Sequence, residues 1–173
     1  KNGLLNNKKI KIVFDPVMFA KGGYPLLESS AIGALKIFIK KCNPILTPNI
    51  PEAELLSNTV IKDENDMIDS GKKILNMGAE AVVLKGGHLE SIDLIDYVLN
   101  QKQLLKFKSK KIDTNNTHGT GCTLASAITA NLAKSFSIQK SMELAHSFVQ
   151  NGIKFAPNLG KGHGPLNHCF KVN

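Results

Sequence analysis

Asn116-Thr-His-Gly-Thr-Gly-Cys-Thr123 is a glycine turn that runs directly into a segment of small residues, 124–134. Two glycines two positions apart let the backbone turn tightly and come close to a ligand. The residues after them open a predicted helix, whose first N–H groups lack intrahelical partners and lie at the positive end of the helix dipole. The segment therefore predicts an anion-binding turn suited to phosphate. The same pattern is also typical of a plain strand-to-helix turn, and the rest of the chain must distinguish the two interpretations.

Cys122 stands at the start of that predicted helix. The helix dipole and any neighbouring cation favour the thiolate, which makes this thiol a candidate base or nucleophile beside a phosphate. The alternative is that Cys122 is only a small, buried apolar residue, a common role for a free cysteine.

The composition excludes several classes of protein. Every one of the 22 basic residues is lysine and tryptophan is absent, so a net charge of +8 does not indicate specific nucleic-acid recognition, which relies on arginine forks and stacking platforms. No apolar stretch approaches the ~20 residues of a membrane-spanning helix, and no secretory leader is evident. Three widely spaced cysteines favour a reducing compartment over a disulfide framework. We therefore predict a cytoplasmic protein with neither membrane nor nucleic acid as a partner.

Short apolar runs alternate with segments of helical periodicity along the chain. Parallel strands are predicted at 10–14, 45–47 and 81–84, and two alternating segments, 93–99 and 103–111, predict an antiparallel extension. Helices are predicted at 28–41, 52–56, 66–77 and 124–134, with a last helix after the cap Ser137 that ends near Phe155. This alternation predicts an α/β fold with a largely parallel sheet, forming one domain over 1–173.

Polar side chains follow each of the three predicted parallel strands. Asp15 follows the first strand, Asn49 and Glu52 follow the second, and Lys85 follows the third. Ligands of parallel α/β sheets bind at the carboxyl ends of the strands, where two carboxylates can share a hard cation and a lysine can reach a phosphate. Each residue also has a simpler explanation: Asp15 begins a turn before Pro16, Glu52 caps a helix, and Lys85 extends into solvent.

Five motifs, in order and spacing, resemble those of the hydroxymethylpyrimidine and phosphomethylpyrimidine kinases of thiamine biosynthesis, which belong to the ribokinase-like superfamily. They are Asp15-Pro-Val-Met18, Thr47-Pro-Asn-Ile-Pro-Glu-Ala-Glu54, Val83-Leu-Lys-Gly-Gly-His88, the glycine turn 116–123, and Gly160-Lys-Gly-His-Gly-Pro-Leu-Asn-His168. The resemblance covers 11–168. It implies a ribokinase-like fold and phosphoryl transfer from MgATP to 4-amino-5-hydroxymethyl-2-methylpyrimidine, and then to its monophosphate to give the diphosphate.

The resemblance also implies a role for each matching residue. Cys122 corresponds to the catalytic base that takes the proton of the substrate hydroxyl. The backbone of three residues is expected to form the anion hole: Gly119, Thr120 and Gly121. Three residues are expected to contact the ATP phosphates: Lys85, Asn49 and Thr117. Asp15 and Glu52 are expected to hold Mg²⁺, and Val17 is expected to line the pyrimidine pocket.

Members of that family carry a further strand and a glycine-rich segment ahead of the part that resembles this chain, and these contribute to the pyrimidine pocket and its lid. We therefore expect an N-terminally truncated domain, and a homodimer where the full-length chain is present. Whether this chain phosphorylates a substrate alone is left open by the sequence.

Three other interpretations remain. A pyridoxal kinase of the same superfamily is the nearest, although the closing motif 160–168 favours the pyrimidine kinase. A nucleotide-binding remnant without turnover is the second, and the presence of Asp15, Glu52, Lys85 and Cys122 argues against it. A basic nucleic-acid-binding module is the third and depends on net charge alone.

Overall fold

The computed structural model describes residues 10–20, 23–87, 93–159 and 161–170, without the side chain of Ser29. Two residues of the quoted motifs, His88 and Gly160, lie outside the described residues. So do Lys21 and Gly22, which the sequence predicts to lie in a flexible, cationic loop after the first predicted strand. The chain divides into two compact units, with the boundary between Ser109 and Lys110. A single domain over 1–173 stays a prediction.

The first unit is built on a mixed sheet, which has five strands in the described part of the chain. They are β1 (Val13–Phe14), β2 (Ile45–Leu46), β3 (Ala81–Lys85), β4 (Asp93–Asn100) and β5 (Leu104–Lys110), in the spatial order β1-β2-β3-β4-β5. β1 pairs with β2 and β2 with β3 in parallel, whereas β3 and β4 are antiparallel. The predicted α/β class with an antiparallel extension is confirmed.

β1 and β2 are shorter than the apolar runs that predicted them. Pro44 and Pro48 flank β2, and proline has no N–H to donate to a ladder, so regular pairing is interrupted on both sides of Ile45 and Leu46. Single backbone hydrogen bonds continue beyond β2, from the Thr47 N–H to the Phe14 carbonyl and from the Lys85 N–H to the Pro48 carbonyl. β1 can pair only where β2 offers a partner, and the start of its predicted run, at Ile10, is 44% exposed.

Three helices of the first unit are α1 (Ser29–Cys42), α2 (Ile50–Ser57) and α3 (Glu64–Asn76). α2 begins two residues earlier than predicted because Asn49 caps it and Pro51 fits its first turn. The Asp63 side chain caps α3 by accepting from two backbone N–H groups. Gly78, with φ at +116°, follows the end of α3 in a conformation that favours glycine.

The core of the first unit is formed by residues of α1, α2, α3 and the sheet. Its fully buried side chains include Leu46, Val82, Leu84, Met67 and Ile74. A Cβ at Gly71 would lie 2.9 Å from the side chains of Leu84 and Leu99, so this glycine sets how closely α3 approaches β3 and β4. α3 therefore packs closely against β3, the strand that ends at Lys85.

The second unit contains α4 (Thr120–Ala133) and α5 (Ile138–Lys154), which pack against each other. The Ser137 hydroxyl caps α5 by accepting from the Lys140 N–H, as predicted. Leu124, Ile128 and Met142 are buried between the helices. None of the helices in the described ranges is long and apolar enough to cross a membrane.

Candidate active site

Asp15 and Lys85 form an ion pair at the carboxyl ends of the parallel strands. Lys85 Nζ lies 2.9 Å from Asp15 Oδ1, and the two side chains are only 16% and 15% exposed. The Thr47 hydroxyl donates to the same oxygen at 2.9 Å. A pair this well shielded is screened less by water and salt than a surface pair. The geometry confirms that the strand ends bring these predicted residues together.

Glu52 joins this cluster from the first turn of α2. Asn49 Oδ1 accepts from the Glu52 N–H at 3.0 Å, and Glu52 Oε2 accepts from the Asn49 N–H at 2.8 Å, which is a complete capping box. The other carboxylate oxygen accepts from the Met18 N–H at 3.3 Å. Glu52 is therefore buried, 2% exposed, and ties the segment after Asp15 to the start of α2.

The electrostatics of Glu52 reflect its burial and its neighbours. Burial raises the pKa of its carboxyl above the ordinary 4.5, while the hydrogen bond from Asn49 and the charge of Lys85 oppose that rise and the charge of Asp15 adds to it. Because the charges of both Asp15 and Lys85 affect the pKa of Glu52, the three residues form one electrostatic cluster. Its chemistry is that of hard oxygen donors beside an ammonium group.

The raised pKa of Glu52 gives a pH-dependent contribution to stability. The folded chain binds the Glu52 proton more tightly than the unfolded chain does, so this contribution is fully present below pH 4.5 and is lost as pH rises through the raised pKa. Glu52→Gln is neutral at every pH. We expect wild type to lose stability relative to Glu52→Gln as pH rises from about 4 to about 7. The difference between their free energies of unfolding, measured by urea denaturation, should therefore shift in favour of the variant. A difference between the two proteins that is independent of pH would contradict the assignment.

The backbone around Lys85 is fixed on both sides. The Lys85 N–H donates to the Pro48 carbonyl at 3.0 Å, and the Gly86 N–H donates to Asp96 Oδ1 at 2.9 Å. Asp96 is a functional candidate that sequence reasoning missed. The available signal was a carboxylate in the middle of an apolar strand, since Asp96 lies between Ile95 and Tyr97 and is only 3% exposed.

Gly86 has no room for a side chain. A Cβ there would lie 1.9 Å from the Ile95 carbonyl oxygen, whereas a Cβ at Gly87 would lie 3.5 Å from Leu94 Cδ1, an ordinary contact. We expect Gly86→Ala to lower the free energy of unfolding by about 2–3 kcal/mol, and Gly87→Ala to change it by less than about 0.5 kcal/mol. Chemical denaturation of the two variants measures both. Equal stabilities would show that the turn relaxes freely.

Val17 lies on the surface beside this cluster. Its backbone N–H donates to the Asp15 carbonyl at 2.9 Å, and the residue is 43% exposed. A neighbouring groove of about 350 Å³ is lined by Met18, Phe19, Pro25, Leu27, Glu28, Ile32 and Leu55. Val17 is not among those lining residues, and its role in a pyrimidine pocket stays a prediction.

The glycine turn of the second unit leads directly into α4, as predicted. Gly119, with φ at +85°, caps α4, and its carbonyl accepts from both the backbone N–H of Thr123, at 2.9 Å, and the Thr123 hydroxyl, at 2.8 Å. The helix begins at Thr120, earlier than the predicted 124, so Gly121 and Cys122 lie in its first turn. Cys122 is exposed rather than buried, which contradicts its interpretation as a small core residue.

The residues ahead of the turn are held by the closing loop of the chain. The His118 N–H donates to the Gly164 carbonyl at 3.1 Å, and His168 Nε2 lies 2.9 Å from the Thr123 hydroxyl. The Thr117 carbonyl accepts from the Thr120 hydroxyl at 3.1 Å. The closing motif therefore supports the glycine turn, a contact that the sequence did not predict.

The predicted residues thus fall into two sets. The first unit contains Asp15, Asn49, Glu52 and Lys85, and the second contains Thr117, Gly119, Thr120, Gly121 and Cys122. Within the described ranges, no three His, Cys, Asp or Glu side chains are arranged to hold a metal ion. A cation at Asp15 and Glu52 would therefore need ligands from a bound phosphate and from water, which is how proteins usually hold Mg²⁺.

A family model and two sequence relatives agree on the family that this chain resembles. A sequence model of the phosphomethylpyrimidine kinase family matches residues 2–167. The chain is 40% identical over 167 residues to the thiamine biosynthesis bifunctional protein ThiED of Geobacter sulfurreducens, covering 96% of this chain and 34% of that protein. It is 38% identical over 165 residues to the hydroxymethylpyrimidine/phosphomethylpyrimidine kinase of Bacillus subtilis, covering 94% of this chain and 61% of that protein.

The fold is similar to that of a solved kinase. The structure of an ADP complex of Bacillus subtilis pyridoxal kinase superimposes with a TM-score of 0.83 at 34% identity, covering 94% of this chain and 62% of that chain. The ribokinase-like fold expected from the motifs is confirmed. This chain spans between 34% and 62% of the lengths of these three relatives.

Proposed function

Because this chain belongs to the phosphomethylpyrimidine kinase family, we propose that it contains the phosphoryl-transfer residues of a thiamine-biosynthesis kinase. The proposed reaction is ATP-dependent phosphorylation of 4-amino-5-hydroxymethyl-2-methylpyrimidine, and then of its monophosphate to the diphosphate. The observation that carries the proposal is the shielded cluster of Asp15, Glu52 and Lys85 at the carboxyl ends of the parallel strands.

The first unit is suited to binding the nucleotide phosphates. Lys85 presents an ammonium group beside the first turn of α2, where Asn49 and the positive end of the helix dipole also favour an anion. Asp15 and Glu52 supply the oxygens that Mg²⁺ prefers, and two carboxylates suit a cation that arrives with the phosphates of ATP. Bound Mg²⁺ would neutralise phosphate charge. The residues present fit that ion.

The second unit is suited to the transfer step. In phosphoryl transfer the protein mainly positions the reacting groups and stabilises the charge on the phosphate oxygens. The start of α4 offers N–H groups to an anion at three residues: the cap Gly119 and the first helical residues Thr120 and Gly121. Cys122, exposed in the same turn, accepts the proton of the substrate hydroxyl in the proposed reaction.

A pyridoxal kinase activity is the second candidate, favoured by one observation. The Bacillus subtilis protein with the similar fold is named a pyridoxal kinase. The two candidates differ only in the substrate, because the residues that face ATP serve either alcohol.

The test is ATP-dependent phosphorylation of the pyrimidine alcohol, its monophosphate and pyridoxal in parallel, with Mg²⁺, beside a calorimetric titration with ATP. Turnover of the pyrimidines above pyridoxal supports the proposal, and the reverse order supports the second candidate. Nucleotide binding without turnover would instead indicate a remnant, and folded protein that does neither would overturn the kinase proposal. The homodimer and the cytoplasmic location stay predictions, which sedimentation and cell fractionation would check.

A further inference from the structure

Asp96 stands directly opposite Lys85 in the sheet. The two residues are Cα partners in the antiparallel pairing of β3 with β4. Residues directly opposite one another in such a pair present their side chains on the same face, with Cβ atoms about 4.5–5.5 Å apart. The Asp96 carboxylate is therefore beside the stem of the lysine whose ammonium group reaches Asp15.

The same carboxylate also fixes the backbone that follows Lys85. Asp96 Oδ1 accepts from the Gly86 N–H at 2.9 Å, while on the other side the Lys85 N–H donates to the Pro48 carbonyl at 3.0 Å. Both peptide groups that flank the Lys85 side chain are thus hydrogen-bonded. Gly86 also lies close to β4, since a Cβ at this position would lie 1.9 Å from the Ile95 carbonyl oxygen.

Placing a carboxylate at this position has a cost in folding free energy. Asp96 is 3% exposed, and burying a charged group costs free energy unless it is well hydrogen-bonded. A neutral side chain of the same shape would also accept from the Gly86 N–H. A carboxylate adds a stronger, charge-assisted hydrogen bond and a negative charge beside the Lys85 stem.

We propose that Asp96 is a positioning residue that fixes the Lys85–Gly86 turn and so holds the Lys85 ammonium group in place for a nucleotide phosphate. The nucleotide part of this inference rests on the proposed function. The positioning part concerns Lys85 alone and is measurable without turnover.

The first measurement is the rate at which an amine-reactive reagent labels Lys85, followed by mass spectrometry. The test variant is Asp96→Asn. The matched control is Asp93→Asn on the same strand, whose carboxylate pairs with Lys108 at 2.7 Å. We expect Asp96→Asn to increase Lys85 labelling about fivefold, as weakening one charged hydrogen bond allows, and Asp93→Asn to leave it unchanged. Asp96→Ser, which is smaller and uncharged, repeats the test if the Asn variant does not fold.

The second measurement separates positioning from a general structural role. We expect Asp96→Asn to raise the KM for ATP about fivefold with little change in kcat. In a Lys85→Ala background the same substitution should leave the KM unchanged, because the residue through which Asp96 acts is gone.

The outcomes distinguish this inference from the proposed function. Unchanged Lys85 labelling in both Asp96 variants, or effects of Asp96→Asn and Lys85→Ala that simply multiply, would overturn the role of Asp96. Increased labelling in a protein that neither binds ATP nor phosphorylates a substrate would support the positioning of Lys85 and overturn the kinase proposal.

Discussion

Cys122→Ala should lower the kcat for phosphorylation of the pyrimidine alcohol by about 10²- to 10⁴-fold, the usual contribution of a positioned general base. The side chain is exposed in the first turn of α4, so its removal leaves no cavity in the core and we expect the variant to fold. The KM for ATP should also be retained, because the proposed phosphate contacts are made by other residues. Steady-state kinetics with the alcohol and with ATP varied separately measure both effects.

Cys169→Ala is the matched control for this variant. Cys169 is also an exposed cysteine of the second unit, and its backbone N–H donates to the Asn167 side chain. We expect this control to retain wild-type kcat. If Cys122→Ala retained it as well, the thiol would not be the base, and the proton of the substrate would have to leave by another route.

Lys85→Ala should lower kcat/KM for ATP by about 10²-fold, mainly through KM, which is typical of removing one charged contact to a nucleotide phosphate. It should also lower the free energy of unfolding by about 1–3 kcal/mol, because Asp15 would keep its shielded position without its cation. The ion pair is 16% and 15% exposed, so water replaces the lost contact poorly. Kinetics with ATP varied and urea denaturation give the two values.

Lys108→Ala provides the comparison for an ion pair of the surface. Lys108 pairs with Asp93 at 2.7 Å, but its side chain is 61% exposed. Exposed pairs contribute about 0–1 kcal/mol, so this variant should resemble wild type in both stability and kcat/KM. Equal effects of the two lysine variants would show that burial at Asp15 has no special importance.

Local chemistry made much of this fold predictable from the sequence. Pro51 and Ser137 specify helix starts through a backbone angle and a hydrogen bond within a few residues, and both act as expected. Asn49 also caps α2, a role that was not predicted for it. The two alternating segments likewise gave the antiparallel extension. Where prediction depended only on apolar runs, as for β1 and β2, the lengths were wrong, because the prolines around β2 control how far the pairing extends.

Long-range contacts account for what the sequence did not reveal. The importance of Asp96 depends on its register against Lys85, and that of His168 depends on the closing loop reaching Thr123. Neither pairing has a local signal. The motifs did identify the residues of the Asp15 cluster and of the glycine turn, whereas the ligands that each set binds stay predictions for the experiments above.

The contact between Gly164 and Asn116 has a consequence for how this loop can evolve. A Cβ at Gly164 would fall 2.0 Å from Asn116 Oδ1, and hydrogen bonds to Thr114 and Asn158 prevent the Asn116 amide from rotating away. A side chain at position 164 therefore requires a change at position 116, and we expect the two positions to covary among relatives, which an alignment of their sequences would check. Directed evolution of the closing loop should accordingly randomise both codons in one library, since a side chain introduced at position 164 alone would clash with Asn116.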